Sequence, residues 1–80
     1  MHELGILRHA INQVKKIAES RNIQKIRYIT LEIGEKSGIV IHYLHKLYPI
    51  AASKFSLTQD SELRITTHPG SELTIKDIGY

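Results

Sequence analysis

Eighty residues, 41% of them hydrophobic and 6% aromatic, carry a formal charge of +3 and no cysteine. A chain of this length supports one small hydrophobic core, and without cysteine neither a disulfide nor a thiolate zinc site can staple it. The basic residues (Lys15, Lys16, Arg21, Lys25, Arg27, Lys36 and Lys46) are scattered without interleaved aromatics, which argues against a nucleic-acid-binding stripe. No apolar run reaches the length of a membrane span, and the charged, amphipathic start is unlike a signal peptide. A soluble cytoplasmic domain is the expectation.

The chain opens with Met1-His2-Glu3. These residues bring an α-amine, backbone amide nitrogens and an imidazole together within two positions. Ni(II) and Cu(II) favour square-planar or tetragonal nitrogen coordination, and either ion displaces protons from peptide nitrogens once an amine anchors it. The same tripeptide also arises by chance at the start of chains with no metal role, so local chemistry leaves both readings open.

Residues 4–19 place Leu4, Leu7, Ala10, Ile11, Val14, Ile17 and Ala18 at helical spacing, the stripe of an amphipathic helix. Arg8, His9, Gln13, Lys15 and Lys16 fall on its wet face. Glu3 suits the positive end of the helix dipole, and Ser20-Arg21-Asn22 supplies a stop because Asn tolerates the left-handed conformation. Lys25 to Ile33 is rich in β-branched residues and predicts a strand with Ile29, Leu31 and Ile33 on one face. Gly34 ends it, and residues 35–38 form a loop.

A second helix is expected over 40–53 through Val40, Leu44, Leu47, Tyr48, Ala51 and Ala52. Pro49 lacks the helical N–H and clashes with the preceding turn, so a kink, or a break after Tyr48, is expected there. Residues 62–67 and 72–78 alternate apolar and polar, and His68-Pro69-Gly70-Ser71 between them is a turn signal. The pair reads as an antiparallel hairpin. The order is therefore α-β-α-β-β: an α/β fold with two helices packed on a three-stranded mixed sheet. The strand-helix-strand segment makes its two strands parallel if they share the sheet.

Catalytic patterns are absent. The five glycines match no phosphate-binding loop, no nucleophile elbow is present, and no carboxylate pair is set for acid-base work. An enzyme is the poorest fit. Among the histidines, His42 and His45 are three apart on the second helix and their rings can meet on one face. Two imidazoles make only a partial metal site, and a polar helix face is the plainer reading. His9 reads as exposed and His68 as solvated in its turn.

The opening MHEL, the helix after it, the strand ending LEIGEKSG, the second helix and the late GSELTIKDI together resemble the HypA/HybF family. Its members are nickel metallochaperones of [NiFe]-hydrogenase maturation. The resemblance covers nearly all eighty residues and is strongest in Met1-His2-Glu3 and the Gly34-Glu35 to Ser37-Gly38 loop. It implies that Ni(II) is held by Met1, His2 and Glu3: terminal amine, imidazole and the backbone nitrogens of His2 and Glu3, with Glu3 assisting by charge. It implies as partners a GTPase of the HypB type and the hydrogenase large subunit. The family also carries a zinc domain built on two Cys-x-x-Cys pairs inserted before the last strand. Here that insertion is missing at about 66–70, so no zinc is expected and residues 1–80 read as a single nickel-binding domain, a monomer or weak dimer. The alternative is a zinc-less interaction module, or an engineered core, that binds a maturation partner without productive nickel delivery.

Overall fold

The computed structural model describes residues 2–80. Its elements are α1 (Glu3–Ser20), β1 (Tyr28–Gly34), α2 (Ile41–Ala52), β2 (Glu62–His68) and β3 (Leu73–Gly79). The α-β-α-β-β order and the mixed three-stranded sheet are as the sequence predicts. β1 starts later than expected: Lys25 to Arg27 lie outside it, although Ile26 is buried and donates its N–H to Leu57 O at 2.9 Å.

The expected hairpin does not form. The strands lie in the order β2-β1-β3, so β1 separates the two that follow one another in sequence. β2 is parallel to β1 and β3 antiparallel to it. Burial explains the choice. Ile29, Leu31 and Ile33 are all at most 1% exposed, and the central place in a three-stranded sheet is where a strand loses most solvent contact. β2 and β3, with polar residues at most alternate positions, take the edges.

The link from β2 to β3 must therefore pass over the end of β1, and it does so at Gly34. A Cβ on Gly34 would stand 2.6 Å from Ser71 Cα and overlap the Gly70 carbonyl, so only glycine fits. The crossing is stitched down by Gly34 N to Glu72 O (2.8 Å), Glu35 N to His68 O (2.8 Å) and Lys36 N to Gly70 O (2.9 Å). β2 runs one residue beyond the expected 62–67, through His68.

Both helices cover one face of the sheet. Leu7, Ile11 and Val14 from α1 and Leu44 and Tyr48 from α2 join Ile29, Leu31, Ile33 and Leu63 in one core cluster. β3 contributes Leu73, Ile75 and Ile78, although three-residue spacing would put Ile78 on the wrong face. A register shift between Thr30 and Leu31 of β1, which pair with Asp77 and Ile75, takes Lys76 out of the ladder and returns Ile78 to the core side.

α1 closes as expected, with Asn22 at φ 55°. Ile23 N donates to Ala18 O at 2.9 Å, which completes a Schellman-type ending. Contrary to the expected break, α2 runs unbroken through Pro49 to Ala52. Tyr48, Ala51 and Ala52 on either side are at most 4% exposed, so packing holds the final turn despite the missing hydrogen bond. No helix among the described residues is long and apolar enough to cross a membrane.

Candidate metal centre

The fold gathers one pole of the molecule around the start of α1. The C-terminal ends of the parallel strands β1 and β2, the N-terminus of α2 and the 69–72 crossing all meet there. Ligands in open α/β folds bind outside the carboxyl ends of the strands, and the sequence motif lies at this pole.

His2 is the N-cap of α1 and is exposed, with φ −89° and ψ 82°. Its carbonyl accepts the first helical hydrogen bond, from Ile6 N at 3.1 Å, while the N–H groups that open a helix have no intrahelical acceptor. Met1, expected to supply the amine, lies outside the described residues.

Glu3, expected to assist by charge, also has a structural contact. It is 7% exposed, and its Oε2 accepts a hydrogen bond from Val40 N at 3.1 Å. Val40 is the N-cap of α2 and has no side-chain cap of its own. The Glu3 carboxylate therefore ties the first residue of one helix to the start of the other. The Val40 N–H, and then Glu3's own N–H, hold the carboxyl below the usual carboxylate range, against the opposing effect of desolvation.

His2 also lines a groove of about 540 Å³ with Gly5, Ile6, His9, Ile39 and Leu73. Ser37 and Ser71 complete its rim. Of Glu32 in β1 and Glu35 and Ser37 in the loop after it, Ser37 alone lines this groove, and its Oγ accepts from Ile39 N at 3.2 Å. His9 is exposed as expected but shares the groove with His2, one heptad along α1; the Gln13 side-chain amide donates to its Nε2 at 3.1 Å. Position 5 is glycine without steric need, since an added Cβ would meet only His2 Cβ, at 3.9 Å.

His68 is not freely solvated: it ends β2, is half-buried, and its Nε2 donates to Glu72 O at 3.0 Å. His42 and His45 are exposed on α2. Among the described residues no three His, Asp or Glu side chains cluster as a metal site. Sequence reasoning missed the Glu3–Val40 bond and the Ile39 and Leu73 walls, because each joins positions distant along the chain.

Known proteins resemble this chain in sequence and in fold. The family model described as "Hydrogenase/urease nickel incorporation, metallochaperone, hypA" matches residues 1–76. Hydrogenase maturation factors HypA from two strains of Legionella pneumophila, Lens and Philadelphia 1, are 27% identical over 73 residues, which is 91% of this chain and 64% of theirs. The chain thus spans somewhat less than two thirds of the length of those relatives. The solution structure of the Ni metallochaperone HypA from Helicobacter pylori superposes with a TM-score of 0.79 at 18% identity, covering 96% of this chain and 72% of that one. A second HypA solution structure gives 0.70. The match across residues 1–76 places the chain in the HypA family of hydrogenase/urease nickel-incorporation metallochaperones.

Proposed function

We propose that this chain is the nickel-binding domain of a maturation chaperone and holds Ni(II) at its own N-terminus. The Met1 amine, the His2 imidazole and the backbone nitrogens of His2 and Glu3 supply four donors in one plane, the arrangement Ni(II) accepts. The observation that carries this reading is the placement of His2, exposed ahead of the helical ladder. Its neighbouring amides are not committed to helical acceptors. The Glu3 carboxylate, bound to Val40 N, holds this segment at the pole rather than ligating the ion.

An exposed site suits delivery. Nickel leaves by ligand exchange, each protein nitrogen being replaced in turn by a donor from the acceptor. The implied partners are a HypB-type GTPase, which participates in loading or release, and the hydrogenase large subunit, which receives the metal. No catalysis by this chain is required.

The test is nickel titration, followed by the ligand-field absorption of planar Ni(II). Three proteins are compared: the native chain, His2→Ala, and a chain with residues added ahead of Met1. The native protein shows the planar signature; the other two lose it. Equal binding by all three overturns the terminal site.

The short link between β2 and β3, where the resemblance puts an inserted zinc domain, favours a second reading, an interaction module that binds a maturation partner without delivering nickel. Co-precipitation with the GTPase that is indifferent to nickel, together with no transfer to the large subunit, supports that reading over the first.

A further inference from the structure

We propose that His42 and His45 form a second metal site, an imidazole pair on α2 that takes first-row divalent ions separately from the N-terminal chelate. Five histidines are present in the chain, and the structure sorts them. His2 belongs to the terminal tripeptide. The His9 ring is held by Gln13, and the His68 ring is spent on the Glu72 carbonyl. His42 and His45 are both exposed, and among the described residues neither ring has a hydrogen-bond partner.

Their geometry suits one ion. They lie within the first turn and a half of α2, which is helical from Ile41. Side chains three apart on a helix have Cβ atoms about 5–6 Å apart on one face. Two imidazole nitrogens bound at right angles to one ion, each at about 2.1 Å, stand about 3 Å apart, a separation that ring rotation reaches from that spacing. Water completes the coordination. The pair binds through neutral side chains alone and displaces no amide proton, so it exchanges faster than a chelate built on peptide nitrogen.

The Glu3–Val40 hydrogen bond fixes the start of α2, where the pair lies, against the start of α1.

The inference is separable from the terminal site, and its test disables that site first. Ni(II) is titrated into the chain carrying extra residues ahead of Met1, and paramagnetic broadening of backbone amide signals is followed residue by residue. Broadening that begins at residues 41–46, before the surroundings of His2, His9 and His68, is expected. It should disappear in His42→Ala, in His45→Ala and in the double variant, with far-UV circular dichroism unchanged. Broadening spread evenly over all five histidines overturns the proposal, as does broadening at α2 that survives the double substitution, or none at all. Failure of the terminal chelate is read elsewhere, in the planar absorption of the unextended chain, so either site can fail without the other.

Discussion

The two poles of the molecule treat their polar groups in opposite ways. At the pole where α1 and α2 end, side chains close the backbone. Ser20 Oγ donates to Ile17 O at 2.8 Å at the end of α1, and Thr58, fully buried, donates its hydroxyl to Ala52 O at 2.8 Å at the end of α2. Ser61 bonds Thr58 O and meets the Tyr48 hydroxyl at 2.6 Å. Lys15 lies 4.0 Å over the Phe55 ring, and Lys25 reaches Asp60 at 2.9 Å. At the pole where the helices begin, neither helix has a side-chain hydrogen bond from its own N-cap residue, His2 is exposed, and an apolar groove stays open. The start of α2 borrows its acceptors from Glu3 and Ser37, whereas the start of α1 has no side-chain bond from its own N-cap residue, and an end left so can take a metal ion or a partner.

The strongest way to break this comparison is to disable the open pole. Adding residues ahead of Met1, or changing His2 to Ala, is expected to abolish planar nickel absorption while leaving the thermal unfolding midpoint unchanged, since His2 is exposed. A large drop in the midpoint would show that the open pole carries stability after all.

A second test strikes the crossing that bounds this pole. Gly34→Ala forces a methyl group against the Gly70 carbonyl and should lower stability by about 1–3 kcal/mol, as overpacking does, measured by urea unfolding. A neutral result would mean that the 69–72 link has room to move away from β1.

The third separates the fold role of Glu3 from ligation. Glu3→Gln keeps an acceptor for Val40 N and leaves the backbone nitrogen in place, so nickel absorption should persist. Because the folded-state carboxyl titrates below its ordinary range, its contribution to stability is present at neutral pH and lost as pH falls through the folded value. The stability gap between wild type and Glu3→Gln should therefore narrow on acidification, read by urea unfolding at several pH values. Loss of nickel absorption in Glu3→Gln at neutral pH would return the carboxylate to the ligand set.

The smallest effect is expected at Gly5. Its added methyl meets only His2 Cβ at 3.9 Å, and a helical Gly→Ala change stabilises by up to about 1 kcal/mol. A measured gain in unfolding free energy, with weaker partner capture, would mark this glycine as kept for what approaches the groove.

Much of this was legible in the chain itself. Periodicity located both helices and all three strands, because burying one face of each element imposes a repeat that local sequence must carry. The ending at Asn22 was legible for the same reason: one residue's backbone preference decides it. The terminal donor set could be read as a possibility from three adjacent residues, since covalent connection already brings them together. Of the kink or break expected at Pro49, the break does not occur, because the local penalty is outweighed by the burial of Tyr48, Ala51 and Ala52 against the rest of the core.

Tertiary structure alone decided the remainder. His68-Pro69-Gly70-Ser71 serves equally as a hairpin turn or as a bridge over a third strand, and only competition for the central place in the sheet separates the two. Glu3 reads as a charge near a helix start until Val40, 37 positions away, comes to rest on its carboxylate. The sequence determines which residues are apolar and which can bind metal. Which polar groups end up spent on the fold, and which stay exposed, depends on contacts between distant segments that form only when the core closes.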